Sequence, residues 1–580
     1  MNDGIVLQTQ FGSSRSVDPT IVSIPSATSI PSLATKKNKY FYQYILSGIF
    51  FLFLLVILIL VAIIVAKIVA YSAIPIESII TTTTITTQAS EKNELSSLVD
   101  SITLEHTLIH LRQFQSRAIG TVSFNRTIDY LTSQLNKENN FIVEKYYFSV
   151  PRSELAEYPI FIALPNKSNA SIFTYRKDFV PMDRSAEARN WSFIDGRPLS
   201  IVARLGCYLD DWNKTKEGDV ALVRRGNCTF VHKILLAMSK RVSAFLIYND
   251  GLTVERLEPL NNTRAPRNNT LPALFLSYEA GMHLILENTS HIYLRLEFRS
   301  LPPTIVTNVC ADTKVGNSNQ TIVVGSHSDS VSAGNCLFLI INKKYYSFLC
   351  FCVLLGPGLN DNGSGMAATL AIALNLARLL GHSNFAINMR SRIKFCWWGG
   401  EEAGLLGSTD FVRRAKLDGS LGLYSVNLNF DMLASPNFIF GIYDGKTADN
   451  ETTPTRAIPG SNRITRLFID YFERNRLPWD YTEFSGRSDY GPFLAEGIAC
   501  GGLFAGADDI KSQEQRDRYL KMLGSTLGGM ANTDHDPCYH RKCDTLENLN
   551  TFGYLHMVKA AAYAIDFLAQ LQDLNQWLYP

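Results

Sequence analysis

From Tyr44 to Ala66 the chain runs 23 residues without a charged side chain. At ~1.5 Å per residue a helix of that length crosses a ~30 Å hydrocarbon layer with some tilt. A cleaved signal peptide would carry a shorter apolar core nearer the start. Lys36, Lys37 and Lys39 stand just before the run, whereas only Lys67 lies close beyond it, followed by Glu77 and Glu91. The positive-inside rule then keeps residues 1–43 in the cytosol and puts the rest outside the cell or in a lumen, with Lys67 snorkelling to the interface. This is a single-pass type II membrane protein, with its ectodomain at the cell surface or in a vacuole- or lysosome-like compartment. Residues 1–43 are rich in Ser, Thr and Pro and show no periodicity, as in a disordered tail. Residues 67–94 include a Thr-rich stretch that reads as a stalk.

That compartment gives the ten cysteines and the sequons their meaning. Asn-x-Ser/Thr sequons begin at Asn125, Asn166, Asn169, Asn190, Asn213, Asn227, Asn261, Asn268, Asn288, Asn319, Asn362 and Asn450. Eight of them fall between 160 and 290, which favours a glycoprotein in a lumenal setting. The formal net charge is +2 with no long basic run, which points away from a nucleic-acid partner. Length alone, at 580 residues, predicts two to four domains. Nothing in the sequence indicates an oligomeric state.

Residues 95–155 read as folded: Leu104, Leu108 and Leu111 suggest one helix, Ile128 to Leu135 another, and Phe141 to Val150 a strand. Residues 156–300 change to short β-like runs, with G-D-V-A-L-V-R-R-G-N-C-T-F-V-H-K at 218–233 and A-F-L-I-Y-N-D-G at 244–251. This segment resembles a protease-associated domain, a small β-rich module inserted in several peptidases. Cys207 and Cys228 both fall within it, and a disulfide between them suits an oxidising compartment. The resemblance implies a role in capping or shaping access to a site, without chemistry of its own. Residues 301–580 alternate strands (Thr321–Gly325, Ile393–Trp398, Ser425–Phe430) with helices (Gly365–Leu380, Tyr554–Leu571), the pattern of an α/β fold.

Three acidic or His clusters directly follow predicted strands: His327 with Asp329, Glu401 with Glu402, and Asp431. Ligands of open α/β sheets sit beyond the carboxyl ends of the strands, so these groups are placed to converge. Imidazole nitrogen and carboxylate oxygen are zinc donors, at ~2.0–2.2 Å. Two zinc ions about 3.5–4 Å apart need one bridging carboxylate and about two further ligands each. His327, Asp361, Glu402, Asp431 and His540 supply five candidates, and Glu401 remains to move protons. Taken singly, an H-x-D pair, a Glu-Glu pair or a strand-end Asp is usually an ordinary polar feature.

Their surroundings remove that ordinariness. G-P-G-L-N-D-N-G-S-G (356–365), W-G-G-E-E-A-G-L-L-G-S (398–408), N-F-D-M-L-A-S-P-N (429–437) and D-P-C-Y-H-R-K-C-D (536–544) resemble, as a set and in order, the zinc aminopeptidases of the aminopeptidase Y type. Relatives of that family include the glutamate carboxypeptidases and the transferrin receptor. The resemblance spans about residues 95–575. It implies a three-layer α/β/α zinc-exopeptidase domain, interrupted by the protease-associated domain and preceded by one transmembrane helix. It implies two zinc ions, with His327 and Asp431 on one, Glu402 and His540 on the other, and Asp361 bridging. Glu401 matches the general base, Asp329 a group that fixes the tautomer of His327, and Tyr539 a hydroxyl that stabilises the oxyanion. Cys538 and Cys543 match a short-loop disulfide around Tyr539 and His540.

Within the family, F-S-G-R-S-D-Y-G-P-F (484–493) is similar to the aminopeptidase branch, where the residue matching Arg487 lies near the substrate. Only 40 residues follow His540, too few for the long C-terminal domain of the glutamate carboxypeptidases. The expected reaction is therefore removal of N-terminal residues from peptides. The alternatives are a carboxypeptidase of the glutamate carboxypeptidase type, a non-catalytic receptor-like ectodomain, and a glutaminyl cyclase, which leaves the protease-associated domain unexplained.

One segment departs from the family. Between Gly334 and Pro357 stands an apolar, aromatic run, residues 335–356, with three of the ten cysteines. Its removal restores H-S-D-S-V-S-A-G-P-G-L-N-D without a gap. A retained intron is the favoured reading, because the composition is that of translated T-rich sequence. A buried strand at the mouth of the site is the other, and a genuine insert there is expected to displace His327 or Asp361.

Overall fold

The computed structural model describes residues 97–580, except 166–168, 183–190, 193–195, 261–262, 264, 267–268, 332–336, 341–347, 352–356, 382–387 and 449–452. The tail, the Tyr44–Ala66 span and the stalk lie outside the described residues. Among the described residues one helical stretch, Leu359–Leu380, is long and apolar enough to cross a membrane, but 89% of that window is buried inside the protein. It is a core helix packed on the larger sheet, not an anchor.

That sheet has eight strands: β1 (Phe141–Leu155), β2 (Phe298–Thr313), β3 (Asn317–His327), β4 (Ser391–Trp398), β5 (Tyr424–Phe430), β6 (Gly441–Tyr443), β7 (Asp480–Thr482) and β8 (Ala499–Phe504). Their order is β1-β2-β4-β3-β5-β8-β6-β7. The middle four, β4, β3, β5 and β8, run parallel, so their carboxyl ends open on one edge. Parallel strands are covered on both faces and therefore read as continuous apolar runs; β5 is buried at every position.

Alternation sorts the side chains onto two faces. Ile322, Val324, Phe395 and Trp397 pack with the helices α3 (Gly365–Leu380), α5 (Ala457–Arg474) and α7 (Thr551–Gln570). Val323, Cys396 and Trp398 face the other way, against Phe411, Val412 and Ala415 of α4 (Leu406–Leu417). Two further helices, α1 (Leu104–Leu111) and α2 (Val122–Leu135), begin at Thr103 and Thr121, whose hydroxyls accept a backbone N–H of the first turn.

A second sheet of nine strands is built from residues 160–296. Its centre is parallel, pairing Arg197–Ile201, Val220–Arg224, Ala244–Tyr248 and Ala273–Leu276. The helices Phe230–Ser239 and Tyr278–Leu286 accompany it.

Within 335–356 the backbone forms a small antiparallel hairpin, Leu337–Ile340 against Phe348–Phe351. Both ends of the segment are pinned by one fully buried residue, through its backbone on one side and its side chain on the other. The Arg117 backbone N–H donates to Ser330 Oγ at 2.9 Å, and its guanidinium donates to the carbonyls of Pro357 (2.6 Å) and Gly358 (2.8 Å). The chain thus leaves and rejoins the core at one place, and the expected displacement of His327 or Asp361 does not occur.

Disulfides join Cys207 to Cys228 and Cys538 to Cys543. A third, Cys310–Cys396, links residues directly opposite on β2 and β4. Of the described sequon asparagines, Asn125, Asn169, Asn213, Asn227, Asn288 and Asn319 are exposed, while Asn362 is fully buried and closed to a glycan.

Candidate metal centre

His327 ends β3, and Glu401 and Glu402 follow β4 by a tight turn in which Gly400 takes φ 77°. Asp431 directly follows β5. Asp361 precedes α3, whose first residue, Gly365, approaches β5 so closely that a Cβ would meet the Phe430 carbonyl at 2.2 Å. His540 comes from the Cys538–Cys543 loop at φ 58°, a backbone state that a non-glycine residue adopts at a cost of ~1–3 kcal/mol. All six side chains are buried.

Their donor atoms fall into three overlapping groups, one of them His327, Glu401 and Glu402, and the other two share Asp361. His327, Asp361 and Asp431 form one set, and Asp361, Glu402 and His540 another, each with its donor atoms within 4.8 Å of one another. His327 Nε2 lies 3.3 Å from both Asp361 Oδ1 and Asp431 Oδ1. His540 Nε2 lies 3.1 Å from the other oxygen, Asp361 Oδ2, and 3.4 Å from Glu402 Oε2. Each oxygen of one carboxylate therefore serves a different imidazole. Glu401 Oε2 stands at the margin, 3.9 Å from His327 Nε2.

The donor set fits divalent zinc. His327 Nδ1 meets the carbonyl oxygen of Asp329 at 3.1 Å, and a carbonyl only accepts, so Nδ1 carries the proton and Nε2 turns its lone pair to the carboxylates. Acceptors converging on one buried point need a cation between them. Asp431 Oδ1, buried, accepts no hydrogen bond among the described residues. With protons as the only cations at hand, burial opposes charge on the imidazoles, yet Asp431 and Asp361 hold His327 well above its ordinary value. Burial likewise opposes charge on His540, while Glu402 and Asp361 push it up to about 10. Burial and the Asp361 charge raise Glu402 to about 7. Zinc, which takes N and O donors, would stand in place of those protons.

Asp329 contacts two parts of the site. Its backbone carbonyl, not its carboxylate, contacts His327; the carboxylate Oδ1 is 3.8 Å from Nδ1. The carboxylate instead accepts three backbone N–H groups, from Gly400 (2.9 Å), Glu401 (3.1 Å) and Glu402 (3.2 Å). It braces the turn that aims the two glutamates, and burial pushes its pKa up to about 6. Tyr539 stacks on His540 with ring centroids 3.8 Å apart. Its hydroxyl accepts from Arg487 Nη2 at 3.4 Å, so the structure brings Arg487 beside the cluster as well.

Sequence reasoning missed several supporting groups. Asp544 accepts the backbone N–H groups of Asn360 (2.7 Å) and Asp361 (3.0 Å), fixing the shared carboxylate's loop. Ser488 donates to Asp431 Oδ2 at 2.6 Å and accepts from Asn429 at 2.8 Å. Asp489 accepts from Ser408, and burial together with the Glu401 charge raises its carboxyl well above the usual range. Ser488 and Asp489 stand beside Arg487 in a run already singled out, so position was a signal, though it gave no role.

Residues 308–565 match Peptidase family M28, and residues 197–284 match the PA domain. An aminopeptidase of Pseudomonas aeruginosa is 33% identical over 448 residues, covering 75% of this chain and 74% of the bacterial protein. A probable leucine aminopeptidase 2 of Aspergillus fumigatus is 35% identical, covering 65% of this chain and 67% of its own length. Among solved structures, an aminopeptidase from Aneurinibacillus sp. strain AM-1 shares the fold with a TM-score of 0.55 at 20% identity, covering 81% of this chain and 95% of its own. A zinc aminopeptidase from Bacillus subtilis does so with a TM-score of 0.51 at 20% identity, covering 80% of this chain and 94% of its own. The chain therefore belongs to peptidase family M28, as a zinc-dependent metallo-exopeptidase of the aminopeptidase kind with a PA domain in the same chain.

Proposed function

We propose that the chain is a membrane-anchored double-zinc aminopeptidase that removes N-terminal residues from peptides, with Glu401 as general base. The observation that carries the reading is the division of Asp361 between two imidazole–carboxylate groups, with Glu401 alongside. His327 and Asp431 would hold one ion, Glu402 and His540 the other, and Asp361 both. Bound there, the two ions supply Lewis acidity toward a peptide carbonyl and make a water acidic at neutral pH.

The protein's own groups do the rest. Glu401 takes a proton from the attacking water and returns it to the leaving amine. The Asp329 carboxylate keeps Glu401 and Glu402 on their turn. Tyr539 offers its hydroxyl to the oxyanion, and Arg487, half exposed beside it, faces the substrate. Residues 95–155 and 301–580 make up the catalytic domain in this reading, and 156–300 the protease-associated domain. The uncharged Tyr44–Ala66 span favours a type II anchor, and the exposed sequons and the three disulfides among the described residues suit a lumenal ectodomain.

Cleavage of a leucine anilide and of its N-acetylated form tests the reading. Chelation should abolish turnover and added zinc restore it, at two zinc ions per chain, and the acetylated form should resist. Equal cleavage of the two, or release of C-terminal residues, would assign the chain to the carboxypeptidase branch. Full-length protein that stays zinc-free and inert would favour a receptor-like ectodomain.

A further inference from the structure

A buried ionic cluster joins the PA domain to the catalytic domain. Arg225 follows the strand Val220–Arg224, and Arg256 ends the short turn Val254–Arg256. Across the boundary stand Asp508 and Asp534, and all four residues are at most 7% exposed. Arg225 Nη2 reaches Asp508 Oδ2 at 2.5 Å. Arg256 donates to the Asp508 carbonyl, to Asp534 Oδ1 at 3.0 Å and to Asp250 Oδ2 at 2.7 Å. Arg541, in the loop that carries Tyr539 and His540, donates to the Glu255 carbonyl.

The carboxylate of Asp508 is split. Its Oδ2 belongs to Arg225, while its Oδ1 accepts no hydrogen bond among the described residues and faces Arg487 Nη2 at 3.6 Å. That same Nη2 lies 3.4 Å from the Tyr539 hydroxyl. A continuous path thus runs from the PA domain through Asp508 to Arg487 and on to Tyr539. Burial alone would raise the Asp508 carboxyl, but Arg225, Arg487 and Arg256 hold it well below the usual range, so it stays charged. A long arginine side chain that is half in solvent carries substantial rotamer entropy. A fixed anion behind it removes much of that freedom before substrate arrives.

We propose that Asp508 is a positioning residue through which the PA domain holds Arg487 at the substrate end of the site. The PA domain is then a working part of the site's binding surface as well as a cover. The inference rests on Arg487 and Tyr539 facing the substrate, as in the proposed aminopeptidase.

A mutant cycle in the full-length chain tests it, using leucine anilide as the probe. Arg225 lies outside the catalytic domain, and Arg225→Gln should lower kcat/KM about tenfold, equivalent to ~1.4 kcal/mol. Arg225→Lys should recover most of that loss. In an Arg487→Ala background the same Arg225→Gln change should cost less than twofold. A tenfold loss in both backgrounds, or none in either, would overturn the proposal. So would a fall in kcat alone, at unchanged KM and in proportion to lost zinc, because that is a folding defect. Independently of turnover, Arg487 should react with phenylglyoxal several-fold faster in the Arg225→Gln chain, and an equal rate counts against the proposal. An unmutated chain that cleaves nothing removes the aminopeptidase reading, while the phenylglyoxal result still judges the path.

Discussion

Replacing Asp329 by Asn separates two accounts of how the metal centre is braced. The carboxylate accepts from Gly400 and Glu401 at Oδ1 and from Glu402 at Oδ2. The amide keeps one oxygen for the first two bonds and turns an NH₂ group toward the Glu402 N–H. Hydrogen bonds to a charged group contribute ~1.5–3 kcal/mol and neutral ones ~0.5–1.5, so the two retained bonds weaken by about 1 kcal/mol each. A buried N–H left unsatisfied costs a further ~1–3 kcal/mol. The carboxylate's own burial, visible in its pKa of about 6, offsets part of this. Roughly 1–3 kcal/mol remains on the turn, and kcat/KM should fall about 10- to 100-fold. The His327 contact is made by a backbone carbonyl and survives the change. Of the two proposed ions, the one weakened would therefore be that assigned to Glu402 and His540. Zinc retention during dialysis should drop in Asp329→Asn, but not further in a His540→Ala background. A drop that persists there and vanishes in a His327→Ala background would show that Asp329 acts through His327, and the argument would be wrong.

Three other outcomes follow from the same geometry. Glu401→Gln should keep its zinc and lose ~10²–10⁴-fold in kcat; a near-normal rate would pass the proton to another group, with Glu402 first in line. Burial of His110, which bonds the Tyr130 hydroxyl at 2.8 Å, lowers its pKa to about 4. The unfolded chain then protonates first, so stability should fall by up to roughly 3 kcal/mol as pH drops from 6.5 to 4, and His110→Gln should flatten that slope in thermal melts. Deleting 335–356 should raise secretion yield, because the deletion removes apolar residues and three cysteines that would meet an oxidising compartment if the ectodomain is lumenal, while zinc content and rate per folded molecule stay unchanged; a lower zinc content or rate on deletion would show that the segment supports the site.

Much of the cluster was legible because His327, Glu402 and Asp431 follow or end strands that fix their direction, whereas His540 sits in a disulfide-closed loop. His327 ends β3, Asp431 follows β5, and α3 runs from Gly365 to Leu380 as its apolar spacing predicts. The helices covering the far end of the sheet, and the strands β6, β7 and β8, were not legible: β6 and β7 are three residues each, too short for a period to show. Cys310–Cys396 escaped for another reason. The two cysteines are 86 residues apart and meet only because β2 and β4 pair in one register, which spacing alone does not encode.

The supports of the site were hidden by the same non-locality, and they decide how the centre works. Asp329 meets His327, two residues away, through its backbone carbonyl, and its carboxylate also holds a turn more than seventy residues on. Asp544 fixes Asp361 from the far side of the chain. Arg117 closes the loop that the 335–356 segment interrupts, which is why His327 and Asp361 stay 3.3 Å apart despite the added length. Closure entropy grows by only about 0.6 kcal/mol per doubling of loop length, so two pinned ends suffice to keep the ligands in register. The metal-site residues tolerate the insertion because they are held from outside the loop that joins them.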